Sequence, residues 1–350
     1  MKVGLIHHQF AKKGGMERYI FDLIQGFGDR GDQIDMFVYK KDPELEQPLH
    51  CNIHQKKINW LPRKLRKYFF ANILSKEISD ANCDLVFSTM RTFTQDINVC
   101  GGTHPGYIKF MNKRKNLFDH LEIVAERKGF SASNKIVAHS NLIRDEILHF
   151  YNMPSEKVIR LFPPVNTSFF NHAHRQLRGE YQKKFSIDPT KCTLLFPSTG
   201  HRRKGLFELL EAFKGLSDQY ELLIAGDDFP SAKALSNVRC LGFVEDMAAL
   251  YTAVDGMILP SHYEPFGLVV SEAMACGTPV IISRFVGAKD LVDDSSGIVI
   301  QSVTPSEIRG ACESFYTKDF DVSLDFVSKY QLGLKDHIDS LIMLKGDGND

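Results

Sequence analysis

Two successive series of short apolar runs, each alternating with segments of helical periodicity, dominate this 350-residue sequence. The first series opens with a strand at Val3–Ile6, a loop containing Gly14 and Gly15, and a helix whose apolar residues recur every three or four positions. Further strands are predicted at 34–39, 85–88, 97–99, 135–138 and 158–162. A strand–loop–helix–strand order begins a parallel sheet, and it therefore predicts a doubly wound α/β domain.

A second series follows a polar segment at 166–190, which we interpret as an interdomain connection. Its strands are predicted at 193–197, 221–225, 238–241, 256–259, 280–282 and 298–300, and its helices at 205–215, 247–254, 268–276 and 305–316. We therefore expect two Rossmann-like domains facing across a cleft, at 1–165 and 191–324, with a C-terminal helix at about 325–345 packing back on the first. Ligands of such open sheets bind outside the carboxyl ends of the strands.

Charge and cysteine patterns narrow the class of protein. The net charge is zero, but residues 1–204 carry 33 basic and 20 acidic side chains, against 10 and 23 in residues 205–350. This asymmetry predicts an anionic partner for the first half. The seven cysteines form no Cys-x-x-Cys pair, which argues against a disulfide framework and a structural zinc site, and no apolar run is long enough to span a bilayer. We expect a cytoplasmic protein.

The most informative stretch runs from Ser261 to Val280. A buried strand is followed by a loop with Glu264, then by Gly267 at the predicted start of a helix, with Glu272 one turn inside it. The free N–H groups of a helix start suit an anion or sugar hydroxyls. Ionised carboxylates are acceptors for sugar hydroxyls and ribose diols. The alternative is a helix cap beside a surface glutamate.

A second constellation, Ser198-Thr-Gly-His-Arg-Arg-Lys-Gly205, joins a predicted strand to a helix start. Backbone amides and the helix dipole already attract anions there. Arg203 and Lys204 add two full charges, and a guanidinium can grip phosphate oxygens with two hydrogen bonds. A solvated basic turn is the alternative interpretation.

These two stretches together resemble the retaining family-4 (group 1) glycosyltransferases of the GT-B fold, similar to lipopolysaccharide-core hexosyltransferases. The resemblance extends along the chain through Gly14-Gly-Met-Glu-Arg18, His139-Ser-Asn141 with Arg144, and Gly242-Phe-Val-Glu-Asp246 with Leu250-Tyr251. Two positions depart from the family pattern. His201 stands where many members carry Arg, and Leu161-Phe-Pro-Pro-Val-Asn166 replaces the usual Pro-Asn-Gly-Val-Asp.

The resemblance implies a role for each matching residue. Arg203 and Lys204 would stabilise the leaving diphosphate, Glu264 would hold the transferred sugar and Glu272 the ribose. His104, in a glycine-flanked strand end, is similar to the histidine that the family places near the anomeric carbon. The other expected donor-binding residues are Gly14, Gly15, Arg202, Phe243, Val244, Asp246, Phe266, Gly267 and Leu268.

The implied reaction is retaining transfer of a hexose from a nucleoside-diphosphate sugar to a lipopolysaccharide-core or other lipid-linked glycan. Asp246 could accept the two N–H donors of a guanine, which favours GDP-mannose slightly over a UDP-hexose carrying glucose or galactose, although similar acids occur in uridine users. No cofactor and no metal are expected, because Arg and Lys take the place of a cation at the diphosphate. A GT-B-like epimerase or phosphorylase, and a non-catalytic sugar-nucleotide-binding partner of another transferase, are the alternatives.

Two basic, aromatic segments lie in the first half. Residues 56–70 hold six basic residues, no acidic ones and the only Trp, and residues 107–118 are similar. From Pro62 onwards a helix is expected to place Leu65, Phe69 and Phe70 on one side. Such segments suit an anionic bilayer, so we expect peripheral attachment to the inner face of the cytoplasmic membrane. An ordinary core-facing helix is the alternative, and no nucleic-acid partner is expected because no nucleic-acid module accompanies the segments.

Overall fold

The computed structural model describes residues 1–11, 14–227, 229–230, 232 and 235–346. The chain divides into two compact units, one formed by Met1–Pro164 with the C-terminal segment from Gln331, the other by Val165–Tyr330. Each unit has a parallel sheet with crossover helices, which confirms the predicted α/β class.

The first unit is built on a parallel sheet whose strands, among the described residues, lie in the order β5-β3-β1-β6-β7-β8-β9. Its strands are β1 (Lys2–Ile6), β2 (Gln9–Phe10), β3 (Gln33–Val38), β4 (Lys40–Lys41), β5 (Cys51–Gln55), β6 (Leu85–Ser88), β7 (Ile97–Cys100), β8 (Lys135–Ala138) and β9 (Val158–Arg160). β2 and β4 form a separate parallel pair. Its helices are α1 (Gly15–Asp29), α2 (Arg63–Ala81), α3 (His104–Phe110), α4 (Leu117–Ala132), α5 (Asn141–Tyr151) and α12 (Leu334–Gly346).

Alternation along β1 places apolar side chains on both faces of the first sheet. Val3 and Leu5 join a cluster with the buried face of α1, whereas Ile6 joins a second cluster with Phe70 of α2. Successive side chains of a strand point to opposite faces, so a sheet covered on both faces needs apolar residues at successive positions. The first sheet is therefore buried on both sides.

The second unit has a parallel sheet in the order β12-β11-β10-β13-β14-β15, counted over the residues that the structure describes. Its strands are β10 (Cys192–Ser198), β11 (Tyr220–Gly226), β12 (Val238–Gly242), β13 (Gly256–Leu259), β14 (Val280–Ser283) and β15 (Gly297–Ile300). Its helices are α6 (Arg178–Lys184), α7 (Leu206–Phe213), α8 (Met247–Ala253), α9 (Leu268–Ala275), α10 (Pro305–Thr317) and α11 (Phe326–Lys329). Short 3-10 helices lie at Ser155–Lys157, His172–Leu177 and Gly287–Leu291.

The segment 166–190 is part of the second unit rather than a connection between domains. It forms the 3-10 helix at His172–Leu177 and α6, and Arg178 donates to Asp255 at 2.5 Å. Phe170 is buried against the ring of Tyr251. The polar composition of 166–190 predicted a connection between domains, but the few apolar residues of this segment, such as Phe170, pack within the second unit.

The C-terminal segment forms two helices instead of the single helix predicted at about 325–345. α11 ends at Lys329, Gln331 has a positive φ of 53°, and α12 begins at Leu334. Ile338 and Leu341 of α12 are buried in the α1 cluster of the first unit. Gly26 of α1 permits this packing, because a Cβ there would lie 2.6 Å from Ile338 Cγ1.

The face of α2 also differs from the prediction. Phe70 is buried in the core, whereas Leu65 and Phe69 are exposed. Consecutive helical residues differ by about 100° around the axis, so Phe69 and Phe70 cannot share one face. The helix therefore leaves two apolar side chains in solvent.

Candidate functional site

The loops that follow β10 and β13 lie at the point where the strand order of the second sheet reverses. β10 pairs with β11 on one side and with β13 on the other. Ligands of doubly wound sheets bind at such a switch point, outside the carboxyl ends of the strands. The predicted residues of the loops 199–205 and 260–267 are therefore brought together at the expected edge of the sheet.

Gly205 fixes the approach of these two loops. Its φ is +79°, and a Cβ at this position would lie 2.1 Å from the carbonyl oxygen of Pro260. A residue with a side chain cannot adopt this close backbone packing without a shift. The glycine that begins α7 is thus a structural requirement of the site.

Arg203 joins the two loops through its guanidinium. Its Nη1 donates to the carbonyl oxygen of Tyr263 at 2.7 Å and to Oε2 of Glu264 at 2.7 Å. The Arg203 side chain is 29% exposed and that of Glu264 15%, so a ligand can reach the pair. A guanidinium has five donors in a planar fork, which leaves others for phosphate oxygens.

Lys204 is a buried cation in the same loop. Its Nζ donates to the carbonyl oxygen of Pro197 at 2.9 Å, at the end of β10. Burial lowers the pKa of Lys204, and the neighbouring Glu264 carboxylate opposes this shift. An ammonium has three donors, so an anionic ligand in this loop would find donors beyond the one bound to Pro197.

Glu264 and Gly267 lie in the loop that leads into α9. The backbone of Glu264 is held on both sides, because its N–H donates to Phe285 and its carbonyl accepts from Gly287, each at 2.9 Å. Gly267 lies at the N-cap with a φ of +96° and provides no side-chain cap. The N–H of Val270 donates to the carbonyl of Gly267 at 2.9 Å, so the N–H groups of Leu268 and Val269 are the ones that a ligand oxygen at this helix start can accept. Phe266 is buried, and its carbonyl accepts from Ala288 at 2.8 Å.

Glu272 lies one turn further along α9 and is buried. Its Oε2 accepts a hydrogen bond from the hydroxyl of Tyr251 at 3.3 Å. Sequence analysis grouped Tyr251 with the 242–246 turn but did not predict this contact, which depends on the packing of α8 against α9. A carboxylate has two oxygens with about four lone-pair positions, so a carboxylate in this place can also accept hydroxyls from a ligand.

The turn after β12 contains the residues predicted to bind the base. Phe243 is 86% exposed and Val244 is half-buried, so an aromatic face is open to a ligand. Asp246 caps α8, with Oδ1 accepting from Ala249 N at 3.1 Å, and its Oδ2 accepts from Lys184 at 2.6 Å. Burial raises the pKa of Asp246, but the hydrogen bonds from Lys184 and Ala249 outweigh this effect, so the pKa is lowered overall. Both oxygens are therefore already engaged, which the sequence did not reveal.

Arg202 and His201 complete the loop after β10. Arg202 is exposed, whereas His201 is half-buried and its Nδ1 lies 2.9 Å from the hydroxyl of Ser198. The ring of His201 also packs against Phe229 at 5.2 Å between centroids. Arg203, rather than Arg202, is the arginine that the structure places beside Glu264.

Gly14 and Gly15 lie in the first unit, at the start of α1. Gly14 has a φ of +89° and offers no side-chain cap to α1. Met16 packs tightly against Gly101, where a Cβ would lie 2.3 Å from its sulfur. The glycine loop and the 101–104 segment are therefore neighbours within this unit.

His104 begins α3 beside this glycine loop. Its Nε2 lies 2.8 Å from Oδ1 of Asp119, and its backbone N–H donates to Glu126 at 2.9 Å. The pKa of Asp119 is lowered by the backbone of Asn116 and by His104. Asp119 thus orients the imidazole, a partnership that sequence analysis missed because 15 residues separate the two side chains.

A polar cluster that the sequence analysis did not single out lies at the end of β1. One ligand-type atom from each of His7, His8 and Glu17 lies within 4.8 Å of the others. Burial lowers the pKa of His8 to about 4, and the His7 charge contributes. Burial raises the pKa of Glu17, but the nearby His7 and the hydrogen bond from Gln9 outweigh this and lower it to about 2.

The two basic segments contribute to one surface of the first unit. Lys64 Nζ of α2 lies 4.3 Å from the ring centroid of Phe118 on α4, and Trp60 packs edge-to-face on Phe69. We call this the α2–α4 surface; its exposed apolar side chains are Trp60, Leu65, Phe69, Leu117, Phe118, Leu121 and Val124. The exposed basic side chains of the two segments include Arg63, Lys64, Lys113, Arg114 and Lys115.

Two of the basic residues predicted for membrane contact have structural partners instead. Arg66 donates to the carbonyls of Leu61 and Asn59, at 2.9 and 2.8 Å. Lys67 pairs with Glu122, and burial lowers the pKa of Lys67 to about 8. The charges available to a ligand are therefore those at the edge of the α2–α4 surface.

No helix within the described ranges is long and apolar enough to cross a membrane.

Comparison with known proteins gives two adjoining family matches. The model "Glycosyltransferase Family 4" matches residues 13–169, and "Glycosyl transferases group 1" matches residues 178–326. A probable transglycosylase of Burkholderia thailandensis is 33% identical over 313 residues, covering 89% of this chain and 85% of the relative. O-antigen chain mannosyltransferase B of Escherichia coli is 26% identical over 58% of this chain and 55% of its own length.

The solved structure of WaaG, a glycosyltransferase involved in lipopolysaccharide biosynthesis, has the same fold. It superposes with a TM-score of 0.78 at 17% identity, covering 96% of this chain and 93% of that one.

Proposed function

Because this chain belongs to the group 1, family-4 glycosyltransferases of the GT-B fold, we propose that it is a retaining hexosyltransferase. It moves a hexose from a nucleoside-diphosphate sugar to a lipopolysaccharide-core or other lipid-linked glycan acceptor. The similarity to an O-antigen mannosyltransferase and to WaaG supports the acceptor class. The arrangement of Arg203, Lys204 and Glu264 at the switch point of the second sheet is the observation that carries the proposal.

The chemistry follows from where charge develops. As the bond between the anomeric carbon and the donor diphosphate breaks, the sugar becomes oxocarbenium-like and the diphosphate gains negative charge. Arg203 and Lys204 are already oriented by Glu264 and Pro197, so their charges stabilise the leaving group without rearrangement. The acceptor hydroxyl forms the new bond from the same face, and its proton passes to a phosphate oxygen of the donor.

The two carboxylates hold the neutral parts of the donor. Glu264, with one oxygen on Arg203, accepts hydroxyls of the transferred sugar, while the buried Glu272 accepts the ribose diol. The open N–H groups after Gly267 bind donor oxygens. Phe243 and Val244 lie against the base, and Arg202 contacts the diphosphate from the exposed side of the loop. In the first unit, Gly14 and Gly15 contribute backbone donors and His104, oriented by Asp119, contacts the sugar.

Replacing Glu272 with Gln should weaken binding of the nucleoside diphosphate by about tenfold or more. A hydrogen bond to a charged group contributes about 1.5–3 kcal/mol, and the ribose diol would lose the charged acceptor. Isothermal titration with the nucleoside diphosphate alone measures this effect. Glu313→Gln, an exposed carboxylate on α10, is the matched control and should bind as the parent does. Equal affinity for Glu272→Gln and Glu313→Gln would remove Glu272 from the ribose role.

GDP-mannose is the donor that we propose first, with a UDP-hexose as the alternative. The relation to a mannosyltransferase supports mannose. The capping of α8 by Asp246 and its pair with Lys184 work against guanine recognition, since Lys184 would have to release an oxygen. Thermal-shift measurements with GDP-mannose, UDP-glucose, UDP-galactose and UDP-N-acetylglucosamine decide between them. Stabilisation by UDP-sugars alone would refute the GDP-mannose assignment.

We also propose that the α2–α4 surface attaches the enzyme peripherally to the inner face of the cytoplasmic membrane. Exposed aromatic and aliphatic side chains enclosed by basic ones match the interfacial region of an anionic bilayer. A lipid-linked acceptor would be presented at such a surface. The position of Lys64 over Phe118 supports this, because it brings residues of the two segments into contact.

Changing Arg63, Lys64, Arg114 and Lys115 together to Gln should reduce vesicle binding by roughly 4 kcal/mol, at about 1 kcal/mol per charge. Co-sedimentation with phosphatidylglycerol-containing vesicles measures the loss, and added salt should weaken parent binding because exposed charges are screened. The control variant changes Lys183, Lys191, Lys214 and Lys318 of the second unit. An equal loss of vesicle binding in both variants would contradict attachment through this surface. Binding of the parent protein that does not depend on lipid charge would also contradict it.

A further inference from the structure

The polar cluster at the end of β1 lies where the strand order of the first sheet reverses. β1 pairs with β3 and with β6, so the residues directly after it, His7 and His8, occupy the switch point of this sheet. Glu17 reaches the same place from the first turn of α1. We propose that His7, His8 and Glu17 form a binding site for a divalent transition-metal ion of the zinc class.

The hydrogen bonds of His7 determine which ring nitrogen faces the cluster. Nδ1 lies 2.6 Å from the hydroxyl of Thr89, and that hydroxyl donates its own hydrogen to the carbonyl of Ile6 at 3.3 Å. This pair of contacts fits the tautomer in which Thr89 accepts from His7 and the imidazole hydrogen is on Nδ1. Nε2 carries the lone pair and is the metal-ligating nitrogen of this tautomer.

The lone pair of His7 Nε2 is buried and has no hydrogen-bond partner among the described residues. The His7 side chain is only 3% exposed, and Nε2 points at Glu17 Oε1 from 3.7 Å. A buried acceptor facing a carboxylate is unfavourable unless something positive lies between them. This atom is the strongest indication that the cluster is built around a cation.

The spacing of the three groups matches a metal better than a sugar hydroxyl. His8 Nε2 lies 3.5 Å from Glu17 Oε1, and all three ligand-type atoms lie within 4.8 Å of one another. Ligands about 2.0–2.1 Å from a tetrahedral zinc ion are separated by roughly 3.3 Å, so small movements suffice. A hydroxyl carries one hydrogen and can satisfy one acceptor, whereas a cation satisfies three.

The surroundings also orient the carboxylate. Gln9 Nε2 donates to Glu17 Oε1 at 2.7 Å, as hydrogen-bonded groups behind metal-binding carboxylates do. Two imidazoles and one carboxylate favour zinc or cobalt over magnesium, which prefers oxygen ligands. Three protein ligands leave a fourth position for water. The expectation of metal-free chemistry concerns the donor diphosphate in the second unit, and this site does not depend on the proposed function.

Metal titration of the full chain, without an affinity tag and after chelator treatment, tests the proposal. Calorimetry with Zn²⁺ should show one ion bound per chain, and Co²⁺ should give the visible absorption of a tetrahedral site with nitrogen and oxygen ligands. A thiolate charge-transfer band would instead assign the ion to cysteines and overturn the proposal. Zn²⁺ should also raise the thermal unfolding temperature.

His8→Gln is the decisive variant, because His8 is partly exposed and its replacement leaves the core intact. It should lower the metal affinity by about tenfold or more and abolish the thermal shift, as should Glu17→Gln. His54→Gln is the matched control, since His54 also pairs with a carboxylate, Asp35, at 2.8 Å elsewhere in the first unit. It should bind metal as the parent does. No stoichiometric uptake by the parent, or parent-like binding by His8→Gln, would overturn the site.

Discussion

Lys204→Met is expected to lower the turnover number of hexosyl transfer by about a hundredfold to a thousandfold, with a much smaller change in donor affinity. The reason is that the diphosphate carries its greatest charge in the transition state, and removal of one oriented donor of this type typically has an effect of that size. Lys204 is buried and its Nζ is held by the carbonyl oxygen of Pro197, so its charge is fixed in position at the end of β10. Methionine keeps the length and apolar stem of lysine.

Steady-state kinetics at saturating donor measure this effect, with the release of the nucleoside diphosphate as the assay signal. Lys214→Met, which removes an exposed charge at the end of α7, is the control and should leave turnover unchanged. A change confined to the Michaelis constant would mean that Lys204 binds only the ground state. A parent protein that binds the donor but has no turnover would support the non-catalytic alternative.

Acidification from pH 7 to pH 5 is expected to destabilise the first unit by about 4 kcal/mol through two buried histidines. Burial lowers the pKa of His139 to about 3 and of His337 to about 4. An unfolded histidine takes up a proton near pH 6.5, so below that value the unfolded state binds more protons than the folded state, and stability falls as pH falls. Each histidine contributes about 2 kcal/mol to this loss by pH 5.

The contacts of His337 explain why it stays neutral when folded. Its Nε2 lies 2.8 Å from the hydroxyl of Tyr19 and its Nδ1 2.9 Å from the carbonyl of Phe162, in an apolar setting. Urea unfolding at the two pH values measures the difference in the free energy of unfolding, with the fluorescence of Trp60 in the first unit as the signal. His337→Gln should remove about 2 kcal/mol of the pH dependence. A free energy of unfolding that is the same at pH 7 and pH 5 would contradict the assignment.

The strands of the second unit were predictable because most are buried runs of apolar residues. β13, at Gly256–Leu259, has the predicted bounds, and the predicted starts and ends of β10 and β14 differ from the observed ones by one residue at most. β5 was missed because Asn52, His54 and Gln55 make it a polar edge strand without an apolar pattern. The apolar pattern identified the buried strands and also the edge strands β9, β12 and β15, whereas the polar residues of β5 gave no such pattern.

The candidate site shows the same division between local and distant contacts. The loop after β10 and the start of α9 were predictable, because the motif residues are adjacent in sequence and a doubly wound sheet brings such loops together. The partners of these residues were not predictable. Asp119 beside His104 and Tyr251 beside Glu272 depend on how separate helices pack.

The exposed aromatic patch is a further case in which tertiary packing decides. Trp60 and Phe118 lie in two basic segments that looked independent in the sequence, and only the packing of α2 beside α4 joins them. The same packing engages Lys67 with Glu122 and removes it from the exposed charges. Composition thus indicated a basic surface but not which charges are free to bind a partner.

Retaining hexosyl transfer is tested most directly by following donor hydrolysis with proton NMR, using water as the acceptor so that the glycan need not be known. The donor is the α-linked nucleotide sugar that gives the largest thermal shift, and Lys204→Met is measured in parallel. The account predicts that the free hexose appears first as the α anomer, before mutarotation, and that the variant releases it far more slowly. Initial release of the β anomer, or equal release by the parent and by Lys204→Met, would contradict it.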